Sequence, residues 1–156
     1  MSKFLVIAEK PSVAQSYAKN LSAYKKGDGY LEGESCIVSW CLGHLAEYAQ
    51  PEEYDPKYEK WQFDDLPILP EAWKLKVSKD KKKQFDVLKG LMNRSDVEYL
   101  VNGCDAGREG ELIFQRVYVL AGCRKPVKRL WISSMEDAAI QKGFQTMKSE
   151  EEYKNL

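Results

Sequence analysis

Asp105, Arg108, Glu109 and Glu111 place four charged side chains within seven positions, and Gly107 and Gly110 fall between them. Carboxylates at this density beside a guanidinium suit a hard cation such as Mg²⁺. Such an ion takes a few carboxylate oxygens and keeps positions open for water and phosphate. The flanking residues must hold this group in place. Val97 to Val101 reads as a buried strand, bounded by Asp96 on one side and Asn102-Gly103 on the other, so Asp105 follows its C-terminal end. Leu112, Ile113, Arg116, Val117 and Leu120 carry a helical repeat whose apolar members face a core, which puts Glu109 and Glu111 in a first helical turn. Gly107 and Gly110 let backbone approach a ligand. The same spacing also describes a tight strand-to-helix turn with acids placed favourably at a helix N-terminus, and spacing alone leaves both readings open.

A second junction of the same kind stands at the start of the chain. Lys3 to Ala8 is a short apolar strand that runs into Glu9, Lys10 and Pro11, and proline suits the first turn of a helix. Val13, Ala14, Tyr17, Ala18 and Leu21 then share one helical face. If the two strands lie parallel in one sheet, both junctions project from the edge at which open α/β sheets bind ligands, and Glu9, Asp105 and Glu109 converge. An ordinary solvated loop pair is the alternative for Glu9-Lys10.

Four ordered motifs now stand together: Glu9-Lys10-Pro11-Ser12, Trp40-Cys41-Leu42-Gly43-His44-Leu45, Asp105-Ala106-Gly107-Arg108-Glu109-Gly110-Glu111 and Trp131-Ile132-Ser133-Ser134. They resemble the TOPRIM domain of type IA DNA topoisomerases, and among these the bacterial topoisomerase III branch. The segments 49–55 and 61–68 resemble that branch as well, so the likeness covers nearly the whole chain. One position departs from the pattern: the family reads Asp-x-Asp-x-Glu, and Gly107 replaces the middle acid, leaving Asp105 and Glu109 with Glu9 to complete a metal shell.

The resemblance implies an α/β TOPRIM fold, Rossmann-like, with a mainly parallel central sheet flanked by helices. It implies a transesterification in which a tyrosine attacks one DNA strand, forms a 5′-phosphotyrosyl link and later releases it without ATP. Glu9 is then the general acid and base at the 3′-hydroxyl, and Lys10 stabilises phosphoryl charge and contacts DNA. Glu9, Asp105 and Glu109 hold Mg²⁺, for which Mn²⁺ can substitute. Arg108 serves phosphate or orients the acids, and Glu111 and His44 support the site from behind. None of the nine tyrosines has the surroundings of the family nucleophile, so single-stranded DNA and the remaining domains of a longer polypeptide are the expected partners. Two other classes stay open: a stand-alone metal-dependent TOPRIM nuclease, and a non-catalytic nucleic-acid-binding module in which Gly107 marks a lapsed site.

Composition is consistent with one such domain. The chain has 156 residues, 44% of them hydrophobic, enough to bury a core. Lys+Arg and Asp+Glu both number 24, so any DNA contact must come from local patches and not from overall charge. Lys79, Lys81, Lys82 and Lys83 form one basic run, readable as a DNA contact or as a solvated helix face. The cysteines at 36, 41, 104 and 123 show no CxxC pairing, so reduced thiols, no zinc site and a cytoplasmic protein without a membrane span are expected, and the resemblance implies association with the nucleoid.

The elements expected are strand 3–8, helix 11–22, short strands near 29–32 and 36–41, helix 80–92, strand 97–101, helix 109–121, strand 127–132 and helix 135–147. Ser134 with Asp137 resembles a capping box for the last helix. Residues 49–75, rich in proline and aromatics, read as an irregular excursion wrapped over the core. Trp61 in that excursion is a candidate base-stacking platform, Trp73 and Tyr54 are assigned to packing, and Trp40 to a strand. The TOPRIM domain is taken as 1–148. The charged tail 149–156 has no evident partner and reads as the start of a following region.

Overall fold

The computed structural model describes residues 2–156. The run Leu5-Val6-Ile7-Ala8 has no polar alternation, as befits a strand buried on both faces, and it forms the centre of the sheet as β1 (Lys3–Ala8). After it come α1 (Pro11–Asn20), β2 (Lys25–Lys26), β3 (Tyr30–Glu32) and β4 (Cys36–Trp40). Then follow β5 (Ala46–Tyr48), a one-turn α2 (Pro51–Tyr54), β6 (Leu75–Val77) and α3 (Lys82–Met92). The chain continues through β7 (Val97–Gly103), α4 (Arg108–Leu120), β8 (Val127–Arg129), α5 (Asp137–Gln145) and β9 (Lys148–Ser149).

Seven strands make one sheet in the order β2-β3-β4-β1-β7-β8-β9. The four central strands are parallel, and the outer pairings β2–β3, β3–β4 and β8–β9 are antiparallel. Alternate residues of β1 feed two cores. Leu5 and Ile7 join Leu88, Leu100, Ile113, Phe114 and Val117 under α3 and α4, while Val6 and Ala8 join Ala14, Tyr17, Val101, Leu130 and Ile140 under α1 and α5. The α/β class with a mainly parallel sheet is therefore as the sequence implied.

Several boundaries move. The helix after β1 stops at Asn20, the strand at 97 runs on to Gly103, and the strand at 127 ends at Arg129. Leu112 is exposed, because the buried stripe of α4 runs Gly110, Ile113, Phe114 and Val117, with Phe114 facing inward instead. The expected capping box is not made. Ser134 Oγ accepts from Glu136 N at 3.2 Å, and Asp137 turns away to Lys19 and Asn20 on α1.

The excursion is irregular but does not cover the core. Its ends are clamped where Tyr48 pairs with Leu75 in the separate two-stranded β5–β6 sheet. Trp61, Phe63, Leu69 and Trp73 lie exposed along it, Trp73 against the ring of Tyr48 at 5.5 Å. The tail does have a partner. Lys148 and Ser149 add a strand to β8, and Glu150 reaches Asn102 and Gln115, both at 3.1 Å.

Candidate active site

β1 and β7 are parallel neighbours with Ala8 opposite Gly103, so the residues that follow them, Glu9 and Cys104-Asp105, leave the sheet side by side. On the other flank Trp40 lies opposite Ala8, which brings the Cys41–Leu45 loop to the same edge. Cys41 N donates to Ala8 O at 2.8 Å and Gly43 N to Glu9 O at 3.3 Å. The N-terminus of α4 completes the edge, as open α/β sheets place their ligand sites.

Glu9 is 8% exposed, and its carboxyl lies within hydrogen-bonding reach of Asp105. Burial first, and then the Asp105 carboxylate, push the Glu9 pKa up to about 7; Glu109 adds to the rise and Lys10 opposes it. Two carboxyls held this close near neutrality share a proton or a cation.

Glu109 stands apart from this pair. Its Oε1 lies 3.1 Å from Nε2 of His44, and both side chains are open to solvent. Among the described residues no three His, Cys, Asp or Glu side chains gather closely enough to enclose a metal ion. Of the three expected ligands the structure thus brings two together, and the third is hydrogen-bonded to the imidazole. The donor set still fits Mg²⁺, which dehydrates reluctantly and is held by one or two carboxylates plus phosphate. Lys10 and Arg108 are exposed and make no ion pair among the described residues, so both are free to meet phosphate. Trp61 lies on the excursion and is 79% exposed.

Sequence reasoning missed Arg129. Its side chain is fully buried, and Nη1 donates to Cys104 O at 2.7 Å and Asn102 O at 3.0 Å while Nη2 donates to Asp105 O at 2.8 Å. It therefore fixes the turn that presents Asp105. Glu111 sits behind this guanidinium, with Oε1 2.7 Å from Arg129 Nε and accepting from Asn102 Nδ2 at 2.9 Å. The Nε contact is an ion pair without an aligned hydrogen bond, since Nε finds no acceptor along its N–H. Burial and the nearby Glu150 carboxyl raise the Glu111 pKa to about 8 despite Arg129. An arginine within Lys128-Arg129-Leu130 carries no signal of burial, and only its place beside Asn102 in the register gives it away. Gly110 has a similar duty. A Cβ there would stand 2.0 Å from Asp105 O, so glycine lets α4 press against the Asp105 backbone and not, as its spacing suggested, against a ligand.

The family model of the Toprim domain matches residues 4–135. The chain belongs to the Toprim family. DNA topoisomerase 3 of Bacillus subtilis is 51% identical to this Toprim chain over all 156 residues, which span 22% of that relative. DNA topoisomerase 3 of Bacillus cereus is 52% identical over the same length and 21% of its own. The chain therefore spans about a fifth of the curated relatives it matches. Full-length topoisomerase I from Thermotoga maritima shares the fold, with a TM-score of 0.60 and 18% identity over 93% of this chain and 21% of that one. Toprim domains of topoisomerases bind a divalent metal, in keeping with the carboxylate edge.

Proposed function

We propose that this Toprim chain is the metal-binding and proton-transferring half of a type IA active site of the topoisomerase III kind, whose nucleophilic tyrosine lies in other domains of a longer polypeptide. The reading rests on one observation: at the ends of two adjacent parallel strands, Glu9 is buried against Asp105 with its pKa near neutrality. A tyrosyl oxygen that attacks a DNA phosphate expels a 3′-oxygen, which needs a proton as the P–O bond breaks. Glu9 gives that proton and takes it back when the 3′-hydroxyl attacks the phosphotyrosyl link; a pKa close to the working pH suits both directions. Lys10 and Arg108 offset charge on the phosphoryl oxygens. Glu9, Asp105 and, after leaving His44, Glu109 would hold Mg²⁺ or Mn²⁺, which supplies neutralisation of phosphate charge. The reaction conserves the phosphodiester energy in the tyrosyl link, so it needs no ATP. The substrate is a single-stranded segment of DNA, and the natural setting is the bacterial cytoplasm at the nucleoid. No helix among the described residues is long and apolar enough to cross a membrane. In this scheme residues 1–148 form the domain proper, and the tail that closes on Asn102 leads into the next region.

The test is to incubate the chain with Mg²⁺, supercoiled plasmid and a labelled single-stranded oligonucleotide beside a Glu9→Gln control. Intact DNA in both lanes is expected. Glu9-dependent cutting by the chain alone would establish a self-sufficient nuclease in its place.

A further inference from the structure

A cleft of about 480 Å³ runs along α1, between Pro11 and Lys19 on the helix and Tyr30 and Trp40 on the sheet, with Tyr24 and Lys26 closing its outer side. It adjoins the carboxylate edge without being part of it. Pro11 lies two residues beyond Glu9, and Trp40 faces Ala8 across the β4–β1 register. Three aromatic rings line the cleft, and among the described residues none of them stacks on another ring. Tyr24 is 71% exposed. Among the described residues no acid lines the cleft, although acids and bases are equal in number over the chain. Lys19 is held in part by Asp137 at 2.9 Å, while Lys26 has no ion pair among the described residues. The open ring of Tyr24 and the half-buried rings of Tyr30 and Trp40, in an apolar trough with a cationic rim, complement a flat base that carries a phosphate, and the volume suits one nucleotide.

We infer that this cleft binds an unpaired nucleotide of the strand that crosses the Glu9–Asp105 edge, with the base against Tyr24 and Trp40 and the phosphate at Lys26. The inference rests on the proposed function only for the source of that strand. Its chemistry also fits a free mononucleotide. The same argument counts against Trp61. Residues 49–75 carry seven acids and three bases, so the exposed rings there stand in a field that repels phosphate.

The experiment is fluorescence anisotropy of a labelled eight-residue oligothymidylate titrated with the chain in EDTA, which removes any metal-dependent contribution. Tyr24→Ala and Lys26→Gln replace exposed side chains, and a melting curve for each checks that the fold is kept. Tyr24→Ala is expected to weaken binding about 10-fold, and Lys26→Gln to weaken it and to flatten the salt dependence by about one counterion. Lys89→Gln, on a helix across the sheet, controls for the loss of one charge and is expected to bind as the parent chain does. Competition by thymidine monophosphate as effective per molecule as the oligonucleotide would identify the free nucleotide as the ligand of the same cleft. A parent chain that fails to bind, Tyr24→Ala and Lys26→Gln variants that bind as tightly as the parent, or a loss confined to Trp61→Ala would overturn the inference. None of these outcomes bears on whether Glu9 is needed for strand cleavage.

Discussion

At the scale of single residues, the proposed role of Glu9 makes its protonation the expected control of both metal binding and stability. A proton and a cation compete for the Glu9–Asp105 pair, and Glu9 holds its proton up to a pH of about 7. Mg²⁺ affinity is therefore expected to rise about 10-fold per pH unit from 5 towards 7 and then level off. Calorimetry in two buffers of different ionisation enthalpy would show close to one proton released on binding at pH 6; a pH-independent affinity would contradict the assignment. Stability carries the opposite sign. A carboxyl whose pKa is raised on folding contributes stability that is fully present below its ordinary value of 4.5 and is lost as pH rises through about 7. Denaturant melts of the metal-free chain should show that loss, and Glu9→Gln should remove this part of it. Glu9 and Asp105 were legible in the sequence because each follows the end of an apolar strand. The partner of Glu109 was not, because nothing local ties position 109 to His44, which is brought there by the β4–β1 pairing.

At the scale of elements, the Asp105 turn is held from two sides, by Arg129 beneath it and by the first turn of α4 against it. Gly110→Ala must push α4 and that turn apart, because its Cβ would meet Asp105 O. The expected result is a loss of about 1–3 kcal/mol in stability, together with a weaker Mg²⁺ site. Thermal melts and a metal titration on the same variant would check both. The tail is joined to this support through Glu150, whose carboxyl meets that of Glu111. Burial and that contact raise the Glu111 pKa to about 8 against the pull of Arg129, so the stability tied to its proton is lost as pH rises from its ordinary value of 4.5 to about 8. Glu150→Gln removes the repulsion and is expected to flatten stability between about pH 6 and 8; an unchanged slope there would mean that the two carboxyls do not interact. Strands as long as β1 and β7 announce themselves by their apolar runs, and α1 by Pro11 and the stripe Ala14, Tyr17 and Ala18. The pairs β5–β6 and β8–β9 do not, since two or three residues carry no period and depend on the partner strand. The boundary at β8 slipped for a related reason: Leu130 and Ile132 continue its alternation after the sheet pairing has ended.

At the scale of the whole molecule, the carboxylate edge is open to solvent on the side of Lys10, Arg108 and His44, where acids and cations stand together. The chain spans about a fifth of its curated relatives, and the proposed nucleophilic tyrosine belongs to the remainder. The exposed aromatics of the excursion were the one large feature misread, because proline and aromatic content alone does not say whether a segment lies on a core or away from it. The most direct measurement is to graft these residues in place of the matching first fifth of the Bacillus subtilis relative and follow relaxation of negatively supercoiled plasmid in Mg²⁺. The graft is predicted to relax the plasmid, and its Glu9→Gln and Asp105→Asn forms to do so at least about 100-fold more slowly. Relaxation by those two variants at the rate of the unsubstituted graft would contradict the account.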